Sequence, residues 1–342
     1  MSARVADWLL AYWAHGVLLC ALLWLVARRV ATRPAARVVL WRVALFAPPI
    51  TASVAVTLPV TAPALSVTSL LRSRVPPRWR ARDVDVHLLR RTGLPPTRAA
   101  VVRDPLERAL SLGVCGVVAL AAALGAVVLL GRRRRDRRFL RERTPLGVHR
   151  GVALSGASGL ATPVALRGGE ICVPAGEWTA LGAAERESVL LHELAHVERG
   201  DPAWLDAARV VAALAWWQPL NRVALRELRR AAELAADDLA LARGADPRAL
   251  VAALAHFAER LDAAAPALGA GLGADDSPLV TRARRILAGR APERDTHVSA
   301  LAAVVLALCT ALALAPRLRA TDPGPVARRG AVNEVVVHRL TR

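Results

Sequence analysis

Apolar and polar positions follow each other on two scales along this chain. Four long apolar runs stand at about 8–27, 38–64, 109–130 and 298–315. Each is close to the roughly 20 residues that a helix needs to cross a bilayer. Trp8, Tyr12 and Trp13 at one end of the first run fit an interfacial aromatic belt, and His15 inside it reads as a polar residue facing another helix. The second run carries Arg42 and Pro48-Pro49, which a membrane helix tolerates when neighbours satisfy the freed carbonyls. The third ends in Gly131-Arg132-Arg133-Arg134-Arg135-Asp136-Arg137-Arg138. Under the positive-inside rule this cluster puts residue 132 onward in the cytoplasm. The Pro- and Arg-rich connection at 66–106 is then extracytoplasmic despite its arginines, because the Arg132 cluster is denser and closer to a membrane end.

Between the third and fourth runs the pattern shortens. Segments at 147–154, 163–166 and 170–174, separated by Gly and Ser, read as strands and turns. Helical periodicity follows from about Leu181. A small sheet with a free edge there would suit the pairing of an extended peptide. Residues 203–217 are apolar but too short for a crossing, and Asp206, Arg209, Trp204, Trp216 and Trp217 mark an interfacial or buried helix. The expected organisation is therefore a membrane region at 1–138, a domain at 139–295, and a last crossing with a short tail at 296–342.

Composition agrees with a membrane protein: 54% of the 342 residues are hydrophobic, and the mean hydropathy is +0.34. The net charge is +19, and every basic side chain is Arg. The arginines cluster beside apolar runs, which points to lipid head groups and topology. No helix-turn-helix or aromatic RNA-binding pattern is present, so direct nucleic-acid binding is not expected. Cys20, Cys115, Cys172 and Cys309 have neither paired nor C-x-x-C spacing, so no disulfide framework is expected. The first run is too long for a cleaved signal and lacks a small-residue cleavage site.

The chemistry lies in His192-Glu193-Leu194-Ala195-His196, an H-E-x-x-H. Residues four apart lie about 40° apart on one helix face, so both imidazoles can reach one ion. Glu193 can hold a metal-bound water, whose pKa zinc lowers to about 7. The alternative is a solvated helix face without a metal. Apolar Val189, Leu190, Leu191, Leu194 and Ala195 around the motif argue against that. Gly200 suits the helix stop, and Asp201-Pro202 reads as the N-cap and first residue of the next helix.

Zinc needs at least one further protein ligand. Glu227, Glu233, Asp237 and Asp238 are candidates within about 221–243. Glu227 lies among arginines and reads as solvated and paired. Glu233 lies in Ala231-Ala232-Glu233-Leu234-Ala235-Ala236, where an unpartnered carboxylate is costly. It is therefore favoured as the ligand over a partner of a nearby arginine. Asp237, four residues on, can hydrogen-bond a ligand histidine and fix its tautomer. No residue is singled out for the oxyanion. Tyr12, the only tyrosine, lies in the first crossing, which leaves His149, His256 or an arginine.

Together these pieces resemble the BlaR1/MecR1 family of integral-membrane zinc metallopeptidases, peptidase family M56. The resemblance rests on Thr162-Pro163, Ile171-Cys172-Val173-Pro174, the stretch His192 to Asp201, Trp216-Trp217-Gln218-Pro219-Leu220, and Arg226 to Asp238. The layout of three crossings before the domain and one after is similar too. Gln218 stands where the family often has Asn. The resemblance implies an α-helical membrane protein with about four transmembrane helices and an inserted α+β zincin-like (gluzincin) metallopeptidase domain. It implies zinc on His192, His196 and Glu233, with Glu193 as general base and Asp237 supporting a ligand. Well-known members detect β-lactams through a penicillin-binding domain after the last helix, and the sequence beyond residue 316 is too short for one.

The expected function is a regulatory zinc endopeptidase of the cell membrane, its domain facing the cytoplasm. Its expected partners are a protein or peptide substrate such as a BlaI/MecI-like repressor, the lipid bilayer, and a second copy of the chain as a homodimer. The rival readings are a non-catalytic membrane sensor or scaffold and an HtpX/Ste24-like quality-control protease. The intact His192, Glu193, His196 and Glu233 argue against the former, and the sequence after the motif looks less like the latter.

Overall fold

The computed structural model describes residues 2–29, 33–57, 65–66, 105–264, 278–289, 304–305 and 318–319. The expected fourth crossing, the connection at 66–106 and the tail at 320–342 lie almost wholly outside these described residues. The chain divides into two units. One comprises Met1–His15, Pro49–Ala119 and Ala311–Arg342, the other Gly16–Pro48 and Leu120–Thr310.

The apolar runs at the start form α1 (Ser2–Arg29) and α2 (Pro34–Thr57). Val5–Arg28 and Pro34–Thr57, each of 24 residues, are long and apolar enough to cross a membrane. Pro34 opens α2, a position whose N–H would be unsatisfied in any case. The helix runs through Pro48-Pro49, past which the Ser53 hydroxyl donates to the Pro49 carbonyl at 2.8 Å. In the first unit Trp8 stacks on Tyr12, which is buried, and Trp13 is the half-exposed ring. His15 Nδ1 meets Thr51 Oγ1 at 2.8 Å.

Helix α3 (Pro105–Arg141) does not end where its apolar run does. Among the described residues its apolar part is Cys115–Gly131. It continues through the arginine cluster, since arginine is a good helix former. In the second unit Ala121 and Gly125, one turn apart, are buried, while Leu124, Val127 and Val128 are exposed. The small face meets the chain at 213–216: Trp216 Nε1 donates to the Ala121 carbonyl at 2.8 Å, and a Cβ on Gly125 would lie 1.8 Å from the Ala213 carbonyl oxygen. Nothing lies within 4 Å of a Cβ at Gly131 on the same helix. Gly125→Ala is therefore expected to destabilise by about 1–3 kcal/mol through overpacking. Gly131→Ala should be neutral or stabilising by up to about 1 kcal/mol through lost backbone freedom in the unfolded chain. Thermal unfolding in lipid nanodiscs checks the opposite signs, and equal shifts would refute the close approach.

The sheet follows, with β1 and β6 kept for a two-residue pairing of Leu65–Ser66 with Leu318–Arg319 in the first unit. Strands β2 (Thr144–His149), β3 (Val152–Ala157), β4 (Val164–Leu166) and β5 (Glu170–Pro174) form a sheet of order β2-β3-β5-β4. Arg150 and Gly151 join β2 to β3 with φ of 48° and 83°, the left-handed pair of a tight hairpin turn. β5 runs parallel to β3 and antiparallel to β4, and Ile171, Cys172 and Val173 at its centre are fully buried.

After the short α4 (Ala175–Trp178) comes α5 (Ala183–Glu198), around which the second unit is built. The Gly182 N–H donates to Glu185 at 2.8 Å, which satisfies one free donor at the helix start. Leu190 and Leu194 pack on Ile171 and Val173 of the sheet. Val189 packs with Leu181, Ala253 and Phe257, and Leu191 with Ala240 and Ala245. Of these partners Ala240 comes from α7 (Pro219–Ala242), and Ala253 and Phe257 come from α8 (Pro247–Ala264), while α6 (Asp201–Leu214) and α9 (Pro278–Leu287) also pack on α7. With apolar neighbours on several faces, α5 keeps even its polar residues 192, 193 and 196 buried.

Candidate metal centre

Helix α5 presents His192 and His196 one turn apart, with ring centroids at 4.9 Å and planes at 86°. Helix α7 approaches closely because its buried face is largely alanine: Ala224, Ala231, Ala232, Ala235 and Ala236. That approach places Glu233 before both rings. Its Oε2 lies 3.5 Å from His192 Nε2 and its Oε1 3.8 Å from His196 Nε2. One ligand atom from each residue falls within 4.8 Å of the others. Tetrahedral ligands about 2.1 Å from a zinc ion lie roughly 3.4 Å apart, so the donor set and its spacing fit a metal ion.

The far side of each ring is also occupied. His192 Nδ1 stands 3.0 Å from Asp237 Oδ1, and His196 Nδ1 3.0 Å from Asp201 Oδ2. Both aspartates are about 1% exposed, so their contacts are made away from water. A carboxylate there favours a proton on Nδ1 and turns Nε2 of each ring towards Glu233. Each aspartate is in turn held by arginine. Arg282 of α9 donates from Nε and Nη2 to the two oxygens of Asp237, both at 2.8 Å, and its Nη1 lies 3.1 Å from Glu233 Oε2. Arg199 Nε donates to Asp201 Oδ2 at 3.0 Å, and Arg42 Nη2 to Asp201 Oδ1 at 2.9 Å. Two His–Asp–Arg chains thus converge on one point.

These contacts set the charges. Burial opposes a charged His192, but Asp237 and Glu233 outweigh it and hold its pKa up at about 10. Burial also opposes an ionised Glu233, yet His192 and Arg282 bring it down to about 2. Asp237 is held well below the usual carboxylate range, its burial overcome by Arg282 and His192. Asp201 is lowered against its own burial by His196 and Arg199.

Glu193 is buried and lines the same cleft as His192, His196 and Glu233. The cleft also borders β4 and reaches Trp41 of α2 and Leu124 of α3. Glu227 also borders this cleft, but its carboxylate is taken by Arg230 at 3.3 Å. Two histidines considered for the oxyanion stand elsewhere, His149 with Glu187 and His256 with Glu177. Asp238 is drawn to Arg285, not to the histidines.

One expectation needs correcting. Asp201 is not the N-cap of α6. Gly200, at φ 63°, takes that place, and the helix begins at Asp201 without a side-chain cap. The reason is competition: the carboxylate of Asp201 is taken by His196, Arg199 and Arg42. Three participants were not foreseen. Arg282 lies 45 residues from Asp237, so no local spacing could have pointed to it. For Asp201 the signal was an acid five residues beyond a candidate ligand. For Arg42 it was a charge inside an apolar run, which needs a partner.

No curated protein matches the chain. The model of the family BlaR1 peptidase M56 matches residues 12–252, a stretch that holds α5, the alanine face of α7, all of α2 and α1 from Tyr12 onward. The chain belongs to this peptidase family, BlaR1 peptidase M56.

Proposed function

We propose that the protein is a zinc-dependent endopeptidase of the cell membrane that cleaves a regulatory protein on the cytoplasmic side. The observation that carries this reading is the convergence of His192, His196 and Glu233 on one point beside the buried carboxylate of Glu193. Zinc held there would polarise a peptide carbonyl and bring the pKa of water to about 7. Glu193 then takes the proton of the attacking water and passes it to the leaving amine. The His192–Asp237 and His196–Asp201 contacts keep both rings oriented. The domain at 139–295 is a gluzincin-type unit set among four membrane helices. The outer edge of β4, which pairs only with β5 among the described residues, offers backbone groups to an extended segment of substrate. The substrate is a repressor of the BlaI/MecI kind or another cytoplasmic regulator.

New protein N-termini in cells carrying the wild type or Glu193→Ala test this reading. A few wild-type-specific termini in a cytoplasmic regulator, under envelope stress, are expected. Many termini in damaged membrane proteins would turn the reading to quality control, and none under stress would turn it to a non-catalytic sensor.

The charges add a prediction about pH. An ion binding at Nε2 must displace the proton that Asp237 and Glu233 hold on His192. With that pKa raised to about 10, affinity for zinc should climb as pH rises from 6 towards 10. At neutral pH about one proton should be released per ion bound. Calorimetry in buffers of different ionisation enthalpy measures this release, and its absence would contradict the arrangement.

A further inference from the structure

Asp201 is buried, and its two oxygens face different parts of the molecule. Oδ2 lies on His196 Nδ1 and on Arg199 Nε, both at 3.0 Å. Oδ1 lies 2.9 Å from Arg42 Nη2. Arg42 belongs to α2, a helix apolar and long enough to cross a membrane. A charge in such a helix is expensive unless it has a fixed partner, and the partner here is a carboxylate of the metal centre. The contact is reinforced one step along each helix. The Arg42 guanidinium sits over the Trp204 ring at 4.7 Å, and Phe46 packs on the same ring with centroids 5.5 Å apart and planes at 67°. Arg42 and Phe46 are one turn apart on α2, as Asp201 and Trp204 are on α6. Two points of contact therefore join α2 to the start of α6 and prescribe where Asp201 stands.

A simple anchor would not need this choice of partner. Arg199 already neutralises Asp201 from within its own loop, and an arginine serving only the bilayer would extend to the head groups. We propose that Arg42 is a positioning residue of the metal centre, through which the apolar helix α2 sets the orientation of His196. A rotation or slide of α2 that withdraws Arg42 from Oδ1 leaves Asp201 to Arg199 alone, lets the carboxylate turn, and loosens the ring it holds. The metal centre is thereby coupled to the position of a helix in the membrane region. This rests on reading His196 as a metal ligand.

The test uses the full chain in lipid nanodiscs and Co²⁺ as probe, read as affinity and as the visible absorption of the bound ion. His196→Ala is measured beside Arg42→Gln, since glutamine is cheaper than arginine in an apolar helix and keeps a polar group near Oδ1. Loss of an outer partner of a metal ligand typically costs about 10–100-fold in affinity, and Arg42→Gln is expected to fall in that range, with a changed absorption band. Arg42→Lys, which returns a cation to Oδ1, should recover most of it. Wild-type affinity and spectrum in Arg42→Gln, while His196→Ala loses the ion, would overturn the proposal and leave Arg42 an anchor. Full binding by His196→Ala would instead refute the metal reading on which it rests. Should Arg42→Gln fail to fold, Trp204→Ala removes the ring beneath the guanidinium and leaves every partner of Asp201 in place. A threefold or greater loss of affinity there supports the coupling, and an unchanged affinity overturns it.

Discussion

Glu193→Gln is expected to lower peptide cleavage by about 10²–10⁴-fold, the usual worth of a positioned acid–base group, and to leave metal content unchanged. Glutamine keeps the size of the side chain and its packing on α5, where Glu193 is buried. It cannot take a proton. The residues placed to hold the ion, His192, His196 and Glu233, are untouched, and so are Asp237 and Asp201 behind them. The change therefore separates binding from turnover. Purified wild type and variant, loaded with zinc, would be compared for metal content and for the rate on a peptide found in the N-terminal survey. Equal rates would remove Glu193 from the chemistry. Loss of the ion together with the rate would make it a structural support of the site. The same pair distinguishes an active peptidase from a sensor that retains the fold, because a sensor loses nothing measurable with Glu193.

The residues of this site differ in how far sequence could reveal them, and the difference is one of range. His192, Glu193 and His196 lie within one helical turn, so spacing alone puts the two imidazoles on a common face. Glu233 and Asp237 are legible for a second reason, that carboxylates among alanines need partners. That argument names the residues but not the partners. Alanine at 232, 235 and 236 is what lets α7 come close enough for Glu233 to meet both rings, and it reads from sequence only as helix propensity. Arg282 and Arg42 depend on tertiary packing alone, one from α9 beyond the matched stretch of the family and one from the second apolar run. Asp201 shows the opposite failure. Its position before proline suggests a local role as a cap, and long-range partners override it. In the fold, the segment 147–154 divides at the Arg150–Gly151 turn into the end of β2 and the start of β3, whereas β4, β5 and helices α1 and α2 followed from periodicity. The continuation of α3 through the arginine cluster did not, since hydropathy reports where a run meets water and not where a helix ends.

Glu233→Ala is expected to abolish the stabilisation that zinc gives the folded protein. An ion that binds only the native state at 100 times its dissociation constant adds about 2.7 kcal/mol. In the wild type this should appear as a clear rise in unfolding temperature on adding zinc to the metal-depleted protein. Without the carboxylate, two histidines remain, fewer than the three protein ligands usual for a catalytic zinc, and the rise should vanish. The contacts of Glu233 allow another outcome. Its Oε2 lies 3.1 Å from Arg282 Nη1 as well as 3.5 Å from His192 Nε2, so it serves either as a metal ligand or as a counter-ion for Arg282. As a counter-ion its loss would lower the unfolding temperature with and without zinc by the same amount, because Asp237 would still hold Arg282 by two hydrogen bonds. As a ligand its loss acts mainly on the zinc-bound protein, and the difference between the two temperatures is the measurement. Glu227→Ala, on the same helix but paired with Arg230, is the control. It should leave the zinc-dependent rise intact, and a similar loss in both variants would mean that the helix, and not the carboxylate at 233, had been disturbed.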